Sequence, residues 1–199
     1  MNGHYIRFAV ALLLSVGVGC SSAPVRYYTL TPTPDKALPA KTTLAIDVRV
    51  VHTPPQLKRS ELMVRTGPTE VTLLENERWV SPLNDEIRDA LRLELQRREG
   101  RLTALRAAYA KLTIDIDVQH FEAELGKHAL LEVSWSATLF APGAHSAGGR
   151  ATSTFRADEK IHTGYAGLVE GYQREIAALA EAIVAVLTSP ANGIDASCH

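Results

Sequence analysis

The sequence predicts an α+β fold: a mostly antiparallel sheet with two amphipathic helices packed on one face, forming a two-layer sandwich. Three observations carry this. Residues 44–50, 111–121 and 131–139 alternate apolar and polar side chains with the period of two that half-buried strands need. Residues 81–98 and 165–187 instead repeat their apolar side chains every three or four positions, the period of a helix with one buried face. The strands after residue 110 follow one another through short joins, which favours an antiparallel meander.

Each element has its own local reason. Tyr27–Leu30 (YYTL) is a short β-favouring segment, and Pro32, Pro34 and Pro39 turn Thr31–Lys41 into a loop. Leu44, Ile46, Val48 and Val50 form one face of a strand that Pro54–Pro55 stops. Residues 62–64 and 71–73 read as two short strands around the Gly67–Pro68 turn. The next helix is well punctuated: Ser81 as N-cap, Pro82 in the first helical position and Asp85 and Glu86 near its positive end. Leu83, Ile87, Leu91 and Leu95 form its buried stripe, with Arg97 and Arg98 in the last turn and Gly100 just past it. Leu112, Ile114, Ile116 and Val118 face one way from the next strand, while Thr113, Asp115, Asp117 and Gln119 face the other. Residues 122–126 turn the chain into Leu131–Leu139, and Ala151, Ser153 and Phe155 suggest a third strand. The last helix runs from Tyr165 to Leu187 on a stripe that includes Leu168, Tyr172, Ile176, Leu179 and Ile183.

The first 19 residues do not belong to this domain. His4 and Arg7 precede an apolar run, Phe8–Val18, which as a helix would rise roughly 16 Å, about half of a ~30 Å hydrocarbon core. It is too short to span and has the build of a secretory signal peptide. It ends at Val18–Gly19–Cys20–Ser21, which resembles the lipobox of bacterial lipoproteins, with Gly17 where that pattern favours Leu. Cys20 is thus the expected site of lipidation, and diacylation plus N-acylation exceeds the two signals that stable membrane attachment needs. Residues 1–19 are then a lipoprotein-type signal peptide, 20–26 the lipidated N-terminus and tether, 27–188 a single α+β domain, and 189–199 a flexible tail. Cys198, in that tail, is the other cysteine, so no disulfide framework is expected.

Composition and motifs exclude several classes. There are 21 Lys and Arg against 22 Asp and Glu, a net charge of −1, so bulk phosphate attraction to nucleic acid is not expected. Hydrophobic residues at 46% and charged residues at 22% are globular values, which argues against disorder. Dinucleotide and phosphate-loop glycine patterns, zinc-helix and EF-hand motifs and the nucleophile elbow are all missing from the sequence. The seven histidines are scattered, and only Cys198–His199 are adjacent, a poor metal site. Asp115 and Asp117 share a strand face and read as polar exterior. Gly164, Gly167 and Gly171 read as loop and helix-entry geometry rather than an anion site. No catalytic residue, metal or cofactor is expected, and a binding or docking module fits better than an enzyme.

Three ordered segments carry a family resemblance: Cys20 followed by Arg26–Leu30 (RYYTL); Val64–Pro68 (VRTGP) leading to Glu77–Leu83 (ERWVSPL); and Ile116–Ala123 (IDVQHFEA) leading to Leu131–Trp135 (LEVSW). Over about residues 20–188 the chain resembles the PqiC/YmbA family, the lipoprotein auxiliary components of Gram-negative intermembrane transport systems. The resemblance implies a non-enzymatic subunit anchored on the periplasmic face of the outer membrane. It implies a partner, a periplasm-spanning MCE-domain protein, and a role in moving lipids and supporting envelope integrity. A homo-oligomer would suit docking onto a symmetric MCE assembly. For the docking face, Tyr27, Tyr28, Arg78 and Trp79 are the residue types enriched at binding hot spots, while Tyr27 and Trp79 serve equally well as core anchors of the sheet. The alternatives are a lipoprotein regulator of cell-wall synthesis enzymes and a lipid-binding or hydrolytic periplasmic protein. The first expects a long tether, and here only about seven residues separate Cys20 from the first strand.

Overall fold

The computed structural model describes residues 23–33 and 44–189. The leader, Cys20, the prolines Pro34 and Pro39, and the tail from Pro190 with Cys198 lie outside the described residues. In chain order the elements are β1 (Arg26–Tyr28), β2 (Ala45–His52), β3 (Glu61–Arg65), β4 (Val71–Trp79), α1 (Leu83–Arg97), α2 (Thr103–Ala108), β5 (Lys111–Glu124), β6 (His128–Phe140), β7 (Gly149–Lys160) and α3 (Gly164–Thr188). Short 3-10 turns lie at Pro55–Leu57 and Glu99–Leu102. The α+β class and the helix-covered sheet are as the sequence predicts.

The strands divide between two mixed sheets, ordered β2-β5-β6-β7 and β1-β4-β3. β5, β6 and β7 form the expected antiparallel meander. β2 joins β5 in parallel and β1 joins β4 in parallel. Parallel pairing needs a long connection, and both pairs have one: β3, β4 and α1 lie between β2 and β5. α1 and α3 cover one face of the larger sheet, where Leu91, Leu95, Ile114, Ile116, Leu131, Leu179 and Ile183 are fully buried. The opposite face is a polar row, with Asp115 beside Ser136 and Thr152, and Asp117 beside Ser134 and Thr154.

One irregularity in β5 shapes the core. Its pairing with β6 shifts between Val118 and His120, a bulge at Gln119. A one-residue insertion flips the alternation, so inward residues are even-numbered up to Val118 and odd-numbered afterwards. Phe121 and Ala123 are therefore buried and His120 exposed. The bulge carries Phe121 under the smaller sheet.

Several local boundaries differ from expectation for identifiable reasons. Pro82, not Ser81, holds the N-cap of α1, because the Ser81 hydroxyl is taken by the Glu86 carboxylate instead of capping. Gly100 does not end α1 in a left-handed cap: the chain tightens into a 3-10 turn, with the Arg101 N–H bonded to the Arg98 carbonyl at 2.9 Å. β5 runs on to Glu124 through residues read as a turn, because Glu122 still pairs with Leu130 and Glu124 with His128. The glycines entering α3 allow close packing: a Cβ at Gly167 would meet the His162 carbonyl oxygen at 2.6 Å, and one at Gly171 the Ile161 side chain at 2.3 Å. Among the described residues no helix is long and apolar enough to cross a membrane.

Candidate functional site

β1 is only three residues long, too short to hold itself by ladder bonds alone, yet two buried carboxylates fix it. Its register on β4 sets Arg26 beside Glu77, Tyr27 beside Arg78 and Tyr28 beside Trp79. Glu77 is 4% exposed. Arg26 Nε donates to both of its oxygens at 3.0 Å, Arg26 Nη2 donates to Oε1, and the Tyr28 hydroxyl donates to Oε2 at 2.7 Å. The Arg26 guanidinium, and then the Tyr28 hydroxyl, hold the Glu77 carboxyl below its usual range against the opposing effect of burial. Burial first, then Glu77, raises the Tyr28 phenol. Arg26 also lies over the Tyr165 ring, 5.5 Å from its centroid.

Glu86 closes the other side. It is 4% exposed and accepts four hydrogen bonds: from the Thr29 hydroxyl at 2.7 Å, the Leu30 N–H at 2.8 Å, the Ser81 hydroxyl at 2.5 Å and the Ser81 N–H at 3.2 Å. One side chain on the first turn of α1 therefore ties the exit of β1 to the end of β4. Sequence reasoning gave Glu86 only the role of complementing the helix dipole. The available signal was a carboxylate on the apolar side of the stripe, next to Ile87.

The four residues singled out in the sequence meet in this seam and divide in role. Trp79 is core, 5% exposed, edge-on to Phe121 at 6.1 Å and tilted against Tyr172 at 6.5 Å, while Phe121 and Tyr172 stack at 3.8 Å. Tyr28 is half-buried and bonded to Glu77. Arg78 is partly exposed, 3.5 Å from Glu61, and donates from Nε to the Glu75 carbonyl at 3.2 Å. Tyr27 is 63% exposed and is the residue of the four free to meet a partner; Val25 and Val80 are exposed apolar residues of the same region. The open-core alternative for Tyr27 is thus settled toward the surface, and that for Trp79 toward the interior.

The remaining sequence candidates sit apart from this seam. Asp115 makes a two-pronged pair with Arg49 at 2.7 and 2.9 Å on the polar sheet face. Among the described residues no group of three or more His, Cys, Asp or Glu could hold a metal ion. What the seam offers is a rigid, charge-satisfied platform carrying an exposed tyrosine close to the N-terminal end of the domain.

A family model described as an ABC-type transport auxiliary lipoprotein component matches residues 28–184. A crystal structure of an uncharacterized protein superposes with a TM-score of 0.58 at 17% identity, covering 81% of this chain and 97% of that one, a likeness of fold. A Xanthomonas campestris protein of the DUF330 family gives a TM-score of 0.46 at 15% identity, over 81% of this chain and 93% of that one. No curated protein matches the sequence.

Proposed function

As the chain belongs to the family of ABC-type transport auxiliary lipoprotein components, we propose that it is an outer-membrane-anchored periplasmic subunit of an MCE-type intermembrane lipid transport system. It is held by acyl chains on Cys20 and docks or stabilises the periplasm-spanning component, which supports envelope integrity. The family match over residues 28–184, which begins inside β1, is the observation that carries this reading. The seam supports it physically. A docking subunit needs an anchor, a short lead and a rigid face, and the lead from Cys20 reaches the rigid seam within a few residues.

Two experiments test the reading. Cys20→Ser releases the protein to the soluble periplasm and removes its ability to complement an envelope-permeability defect. Full complementation by that variant at native expression level would refute the anchoring step. A photo-crosslinking residue at Tyr27 recovers an MCE-domain protein from intact cells, and recovery of none refutes the partner.

A further inference from the structure

A cleft of 540 Å³ opens between the end of β2, the 3-10 turn that follows it and the entrance to α1. Leu57, Trp79 and Leu83 form its buried apolar wall, while His52, Lys58 and Arg59 are exposed at it, and no Asp or Glu lines it. That charge pattern is unusual within this molecule. Among the described residues nearly every Arg and Lys lies within ion-pair distance of a carboxylate. The exceptions are Lys58, Arg59, Arg150 and Lys160. Arg150 and Lys160 stand near opposite ends of β7, but Lys58 and Arg59 are neighbours in one cleft. The acids closest in sequence are taken: Glu61 faces Arg78 and Asp85 faces Arg88.

We propose that this cleft takes the headgroup of an anionic phospholipid belonging to the membrane that holds the anchor, with the phosphate at Lys58 and Arg59 and the glycerol-ester region against Leu57 and Trp79. The volume suits a headgroup, since small-ligand sites span roughly 300–1,000 Å³. Position argues for membrane lipid over a soluble anion or an acidic protein segment, and here the inference rests on the anchored-lipoprotein reading. Val80 lines the cleft and donates its N–H to the Tyr28 carbonyl at 2.9 Å, so β1 ends beside it. Tyr28 is eight residues after Cys20, so the cleft lies within about 29 Å of extended chain from the anchor. The exposed Val25 and Val80 add apolar side chains that sit well at headgroup level. Bound lipid would fix the domain's orientation on the membrane, which a flexible acyl anchor cannot do.

The test uses the full chain in non-ionic detergent, titrated with dihexanoyl-phosphatidylglycerol and followed by tryptophan fluorescence, since Trp79 walls the cleft. Binding saturates, and Lys58→Ala with Arg59→Ala weakens it roughly 30-fold. Both side chains are exposed, so the double variant keeps its melting temperature. Equal response to dihexanoyl-phosphatidylcholine, or no change in the double variant, would show detergent-like partition and overturn the proposal. Equal affinity for glycerol phosphate would make it a soluble-phosphate site, and saturable binding of an acidic peptide but not of the lipid would assign it to a protein partner. Either result overturns the membrane source. None of these outcomes depends on Cys20 or on an MCE protein, so failure here is distinguishable from failure of the anchoring reading.

Discussion

Glu77 and Glu86, where β1 meets β4 and α1, and Glu175, between α3 and the larger sheet, are all buried carboxylates, but their surroundings are opposite. At the seam every carboxylate oxygen has a donor, from Arg26, Tyr28, Thr29, Leu30 or Ser81. Glu175 is 0% exposed, and among the described residues no donor stands in good hydrogen-bond geometry to either of its oxygens. Burial above all, with the Glu159 and Asp158 carboxylates of β7 adding, pushes its pKa up to about 8 against the pull of the Glu159 and Leu131 backbone. Partnered burial fixes one geometry, here the docking of β1. Unpartnered burial makes the group neutral and makes stability depend on pH. The region that holds the candidate docking face is the charge-satisfied one.

The largest test of this contrast is Glu86→Ala. It strands the Leu30 and Ser81 amides together with two hydroxyls, and should cost about 4 kcal/mol. The variant melts lower, and the amides of Tyr28–Leu30 lose exchange protection before the larger sheet does. Uniform loss of protection would mean that the seam is not a separate unit.

Glu175→Gln works in the other direction. The folded pKa of Glu175 is raised, so between about 4.5 and 8 the native state binds more protons than the unfolded one, and stability falls as pH rises through that window. From pH 5 to 7.5 the wild type should lose about 3 kcal/mol from this group, and the glutamine variant none of that share. Denaturant titrations at both pH values measure the difference, and parallel pH slopes in the two proteins would place Glu175 in contact with water.

Glu77→Ala is smaller, about 1–2 kcal/mol, because its partner Arg26 stays mostly in solvent. Glu77 has a lowered folded pKa, so its contribution is present above about 4.5 and is lost as pH falls through the folded value. Wild type and variant therefore converge in stability at acid pH, and a gap that persists there would assign the effect to packing. Tyr27→Ala is smallest for stability, within about 0.5 kcal/mol, as the ring is exposed. It nevertheless removes most partner crosslinking from a photo-reactive residue placed at the neighbouring Arg78, and unchanged crosslinking would move the docking face elsewhere.

Much of the fold was legible in the sequence because one-dimensional periodicity reports which face of an element is dry. The stripes of α1 and α3 and the alternation of β5 and β6 appear where expected. Less legible was anything set by contacts between distant segments. The Gln119 bulge interrupts an alternation that, in the sequence, simply ends at Phe121. α2 has too few residues to show a helical period. At the candidate site, Tyr27, Tyr28, Arg78 and Trp79 were singled out by residue type, and type alone could not separate the buried Trp79 from the exposed Tyr27. Glu77 and Glu86 were missed as site residues: of the donors that hold them only Ser81 is local, while Tyr28 and Leu30 lie about 50 residues away.

By itself the sequence determined the α+β class and the ordered segments that carry the family, since these depend on local hydropathy and residue order. The tertiary structure decided the parallel docking of β1 on β4, the split into two sheets and the gathering of Lys58 and Arg59 into a cleft without acids. Those features depend on which distant donors and acceptors meet once water is excluded. Hydrogen bonding and charge pairing then select one arrangement among the several that periodicity alone allows.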